Sequence, residues 1–146
     1  MACRATVDAV AGRGYVSGMS YYFHKTVDLS FDDAVAKVTA ELGTRGFGVL
    51  TTIDVKATLK KKIDVDFRPY VILGACNPKF AHQALSRERY IGAMLPCNVV
   101  VQANDDGTVD VSAVDPVASM QAVENAELGA IATEVRNLLA STIEAL

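Results

Sequence analysis

Hydrophobic and polar positions change period several times along the 146-residue chain, and each change marks a predicted element. In "YYFHKTVDL", Tyr22, His24, Thr26 and Asp28 alternate imperfectly with Tyr21, Phe23, Lys25, Val27 and Leu29, which predicts an edge or half-exposed strand. Ser30 then stands at a helix start, with Asp33 three residues on and Asp32 favouring the positive end of the helix dipole. Phe31, Val35, Val38 and Leu42 recur at helical spacing, and Gly43 or Gly46 can end that helix. "FGVLTTIDV" reads as a second strand and "KATLKKKIDV" as a short amphipathic helix whose Lys56, Lys60, Lys61 and Lys62 form a solvated face.

The apolar run "YVILGACN" continues on both faces and predicts an interior strand. Asn77 follows as an N-cap and Pro78 as a first helical residue, opening a helix to about Tyr90 on which His82 and Arg89 share a face. After a bend at Pro96, a valine-rich strand begins near Asn98 and pairs across Asp105, Asp106 and Gly107 with "TVDVSAV". There Val109 and Val111 alternate with Asp110 and Ser112, as a sheet with one wet face requires. From Asp115 onward a long helical pattern runs through Val123, Ala126, Ala130, Val135, Leu138 and Leu139, with Gly129 as a close contact or a bend. This helix should cover a sheet face or a partner subunit.

The order of elements predicts one α+β domain over residues 19–146, with a mixed or antiparallel sheet flanked by helices. An α/β arrangement with parallel crossovers is the structural rival. Residues 1–18, with Gly12-Arg13 and Gly14-Tyr15, read as an N-terminal arm or irregular entry.

Composition narrows the function. A chain of this length buries roughly 70% of its unfolded surface, so neither disulfides nor metals are needed for a core. A net charge of -3 argues against a general nucleic-acid surface. No apolar stretch reaches the roughly 18 to 20 residues that span a bilayer, and the N-terminus lacks an export pattern, so no membrane partner and a cytoplasmic location are expected. Three cysteines, Cys3, Cys76 and Cys97, leave at least one unpaired in a monomer, which suits a reducing compartment.

Candidate chemistry gathers around "GACNPKF" and "LPCN". Cys76 precedes a helix N-terminus, where amides and the helix dipole stabilise a thiolate, and Cys97 lies at another strand entry. The spacing admits a redox pair, a metal site completed by His82 and an oxygen from Asn77, or thiols that only pack. Neither His24 nor His82 has a local nucleophile-and-base arrangement, so acyl-enzyme hydrolysis is unsupported and neither a reaction nor a cofactor is named by the residues. The sharper expectation is a pocket near Cys76 and Cys97 in which Asn77 and Asn98 hydrogen-bond a small anionic or sulfur-containing ligand. The competing expectation is a structural homo-oligomer without catalytic activity.

The ordered segments "FGVLTTIDV", "RPYVILGACNPKFAHQAL" and "IGAMLPCNVVVQ" resemble the Domain of Unknown Function 302 family from about Tyr21 through Pro116. Gly74 through Pro78 and Leu95 through Asn98 are similar to that family's paired "GxCNP" and "LPCN" features, with Cys76 and Cys97 at the matching positions. The resemblance implies a compact α+β fold and a homodimer, and carries no role for His82 or the lysine group.

Overall fold

The computed structural model describes residues 20–146; the arm expected over residues 1–18, and Cys3 with it, lie outside the described residues. Five strands form one sheet: β1 (Tyr22–Val27), β2 (Gly48–Asp54), β3 (Tyr70–Cys76), β4 (Cys97–Ala103) and β5 (Val109–Val114). Their spatial order is β1-β5-β4-β3-β2, and every neighbouring pair is antiparallel. The fold is thus α+β, and the parallel-crossover alternative is excluded.

Alternation divides this sheet into two unlike faces. Phe23 and Val27 of β1, Leu73 of β3, Val99 and Val101 of β4 and Val111 of β5 point to one side and are buried. Two helices cover that side. In α1 (Phe31–Thr44) the inward stripe is Ala34, Val38 and Leu42, and in α5 (Leu128–Glu144) it includes Val135, Leu139 and Ile143. The Ser30 side chain accepts from the Asp33 amide at 3.1 Å and so supplies the expected N-cap of α1. Gly46, at φ +83°, turns the chain after that helix into β2. It also leaves room for the Asn77 side-chain amide, which would sit 3.1 Å from a Cβ at this position.

The edge positions differ in character. β1 is tied to the covering layer by Lys25, whose Nζ donates to the carbonyls of Glu144 and Leu146 at 3.1 and 2.9 Å. β2, on the opposite margin, is exposed at nearly every position and has a register shift between Val49 and Thr51. It leads directly into α2 (Val55–Ile63), which buries none of its residues. Lys60 on that helix pairs with Asp64 and Asp66, fitting the expected solvated lysine face.

Two helix boundaries differ from the sequence expectation. α3 (Pro78–Arg87) stops before Tyr90 because Glu88 is extended, and the side-chain amide of Asn125 donates to the released Arg87 carbonyl at 3.0 Å. Arg89 therefore lies beyond the helix and shares no helical face with His82. A 3-10 turn over Ile91–Met94 follows. The terminal pattern is also broken into two pieces, α4 (Pro116–Ser119) and α5, with residues 120–127 between them. Asp115 caps the start of α4: one carboxylate oxygen accepts from the Val117 amide at 3.0 Å, and the other from Arg136 of α5 at 3.1 Å. Together these bonds tie the start of α4 to α5. Gly129 falls in the first turn of α5, is exposed and has nothing within 4 Å of a Cβ position, so it is neither a close contact nor a bend.

Candidate functional site

The uncovered face of the sheet carries the polar alternate residues of the same strands. Strand register places Tyr22, Val114, Asn98 and Gly74 in one cross-strand row, and His24, Ser112, Val100 and Ile72 in the next. A third row runs Thr26, Asp110, Gln102 and Tyr70. Most of these residues are half-buried. Gly74 is fully buried because the Thr51 hydroxyl and the Pro96 ring close over it, the latter 2.8 Å from where a Cβ would stand.

All of the residues in these rows except Ile72 and Gly74 line a groove of about 720 Å³. Tyr22 and His24 form one wall, their ring centroids 5.7 Å apart, with Tyr21 5.0 Å beyond Tyr22. Tyr70 stands on the other side, three strand spacings away, or about 14 Å. Met94, Leu95, Pro96, Ser119 and Met120 close one end. At the other end Arg68 donates to Gln102 Oε1 at 3.1 and 2.8 Å and stacks over Phe67 and Tyr70, 4.5 and 5.5 Å from the ring centres. Within the groove, Asp110 Oδ1 accepts from the Thr26 hydroxyl at 2.5 Å.

A second space lies across the strand ends. Cys76, Asn77 and Cys97 line a cavity of about 40 Å³ whose remaining wall is apolar, including Phe47, Phe80 and Val135. Leu95, Pro96, Cys97, Pro116 and Met120 border both spaces, so the cavity abuts the closed end of the groove. Both thiols are free, with Cys97 buried and Cys76 half-buried. Burial pushes the Cys97 thiol up to about 11, with a smaller contribution from Cys76. Cys97 consequently stays protonated near neutral pH and is a poor nucleophile or metal ligand.

The residues singled out in the sequence separate accordingly. Cys76, Asn77 and Cys97 each line the small cavity, with the two thiols unbonded to each other, while Asn98 is exposed on the groove floor. Asn77 is at the N-cap position of α3 but makes no side-chain cap; its amide reaches toward the Arg45 carbonyl at 3.5 Å. His82 is exposed on α3 and lines neither space. Among the described residues no group of three or more His, Cys, Asp or Glu side chains is arranged to hold a metal ion.

Sequence reasoning missed the groove itself. Its signal was present in the wet positions of β5, Asp110 and Ser112, together with His24, Thr26, Asn98 and Gln102 at the same strand parity. Only the strand order brings them side by side.

Among the described residues no helix is long and apolar enough to cross a membrane. No curated protein matches the chain. Among solved structures it is similar to an uncharacterized conserved DUF302 protein from Bacillus stearothermophilus. The two share 28% identity and a TM-score of 0.79, over 85% of this chain and 96% of that one. The family described as "Domain of unknown function DUF302" matches residues 23–146, which include both cysteine segments and the whole sheet from Phe23 onward. The chain belongs to the DUF302 family.

Proposed function

We propose that this protein binds a small organic molecule in the groove on the open sheet face, with the Cys76–Cys97 cavity as an apolar annex at its closed end. The observation that carries the reading is one of size. Pockets that enclose a small-molecule ligand measure about 300 to 1,000 Å³. The groove, at about 720 Å³, is in that range, whereas the cysteine cavity, at about 40 Å³, has room for only a few water-sized atoms. A ligand centred on the two thiols alone has no space, so Cys97 and its neighbours receive at most a terminal group. Any sulfur or redox chemistry then falls to Cys76, the more exposed thiol. The aromatic walls and the amide and hydroxyl groups of Asn98, Gln102 and Ser112 support recognition of a molecule with a ring and a few polar atoms.

A fragment library screened by protein-observed NMR tests this reading. Expected hits shift the amides of Tyr22, His24, Asn98 and Ser112. Hits confined to α2 or α3 would count against the groove.

A second reading, self-association as a homodimer, is favoured by the margin formed by β2. Among the described residues no strand pairs with its outer side, and Leu50 and Ile53 are 67% and 48% exposed. Exposed edges of this kind invite pairing with another strand. Light scattering over a wide concentration range is expected to show a dimer that Leu50→Lys weakens. A monomer at all concentrations would remove this reading without touching the first.

A further inference from the structure

We infer that the groove selects an organic cation, an aromatic or alkyl ammonium compound, with Asp110 as the charge partner and Tyr22, His24 and Tyr70 as the surrounding rings. The inference rests on the groove being the binding site and adds the charge of the ligand.

The first support is the charge inventory of the lining. Among the described residues that line the groove, Asp110 is the single carboxylate and there is no lysine or arginine. Lys25 is on the same strand as His24 but points to the covered face, where the chain's last carbonyls hold it. Arg136 is paired with Asp115 beneath the sheet. Asp110 itself makes no ion pair among the described residues, and its side chain accepts a hydrogen bond from the neutral Thr26 hydroxyl. A carboxylate in a half-enclosed trough, unpaired with any described lysine or arginine, draws cations toward that trough.

The second support is the walls. Tyrosine faces attract cations through the ring quadrupole, most strongly where water is partly excluded. Tyr70 already demonstrates this with Arg68, whose guanidinium lies 5.5 Å from the ring centre. That guanidinium is outside the groove lining and held by Gln102, so it borders the site without filling it. An ammonium group beside Asp110 would sit one row from His24 and two from Tyr22 on β1, while its apolar part lies over Val100, Ser112 and Val114. Both ends of such a ligand find complementary surface there.

Three probes of similar shape separate the charge claim from the groove claim: benzyltrimethylammonium, benzyl alcohol and benzoate, each titrated into the full-length protein by NMR. The ammonium probe is expected to shift the Tyr22, His24, Asp110 and Ser112 resonances and to bind about tenfold more tightly than benzyl alcohol. Benzoate should bind most weakly. Asp110→Asn, an isosteric change on the open face, should bring the ammonium and alcohol probes to similar affinity while leaving the thermal transition nearly unchanged. If alcohol and ammonium bind the same residues equally well, the charge inference fails and the groove reading stands. Tighter binding of benzoate would hand control to Arg68 and also overturn the inference. Groove resonances unmoved by all three probes would remove both.

Discussion

The two faces of the sheet are made by the same strands, yet they obey different constraints. On the covered face Val99, Val101 and Val111 are completely buried beneath α1 and α5. On the open face the intervening Val100, Gln102 and Ser112 are half-exposed and line the groove. Apolar residues dominate the first because a polar group buried there would lose its water and so needs a partner, as Lys25 finds in the Glu144 and Leu146 carbonyls. The second has no such requirement, so hydroxyls, amides, an imidazole and a carboxylate accumulate there. One backbone thus separates what holds the molecule together from what it has available for recognition.

Removing volume from the covered face should widen this contrast most. Leu139 is fully buried between α5 and the sheet, and Leu139→Ala is expected to cost about 4 kcal/mol in urea unfolding. A loss below about 1 kcal/mol would mean that this layer is not packed as described.

Cys97 gives the next largest effect, at the boundary between the faces. Its thiol ionises near 9.0 when exposed, and in the fold burial pushes it up to about 11. Between those values the unfolded chain has released a proton that the native chain keeps. Stability from this residue is therefore intact below about pH 9 and falls as pH rises toward 11, by up to about 3 kcal/mol. Cys97→Ala should lose stability less steeply across that window; parallel pH profiles for the two proteins would show that Cys97 is not buried as a neutral thiol. Alkylation at neutral pH, read by mass spectrometry, should modify Cys76 before Cys97 because only Cys76 is partly accessible.

Gly74→Ala tests the close approach of Thr51 and Pro96 on the open face. The new methyl group meets Thr51 and Pro96, and a loss of about 2 kcal/mol is expected. Adding Thr51→Ala should recover part of it, and complete additivity would show that the two side chains do not meet. The smallest effect should come from Ser112→Ala on the groove floor, within about 0.5 kcal/mol of the parent protein, since this hydroxyl supports no packing.

Local pattern made most elements legible. The Ser30 cap, the α1 stripe, the β4–β5 turn and the start of α3 after Asn77 all depend on neighbours within a few residues. What eluded the pattern depended on distant partners. The end of α3 is fixed by Asn125, 38 residues beyond the Arg87 carbonyl it caps. Arg136 meets Asp115 across 21 residues and ties the start of α4 to α5, a pairing that no local pattern marks. The cysteine segments were recognisable, and their shared cavity follows from β3 and β4 being neighbours. Its small size does not: it is set by Phe47, Phe80 and residues of α5, which fill the space from other parts of the chain.

Strict two-residue alternation in β4 also dictates where the chain can change length. Deleting one residue between Cys97 and Ala103 would invert part of the strand, thrusting Asn98 or Gln102 against α1 and presenting valines to water. Extra residues beside Gly107, at the outward tip of the β4–β5 hairpin, would leave that phase untouched. Length variation should therefore be admitted at the tip and refused a few residues upstream.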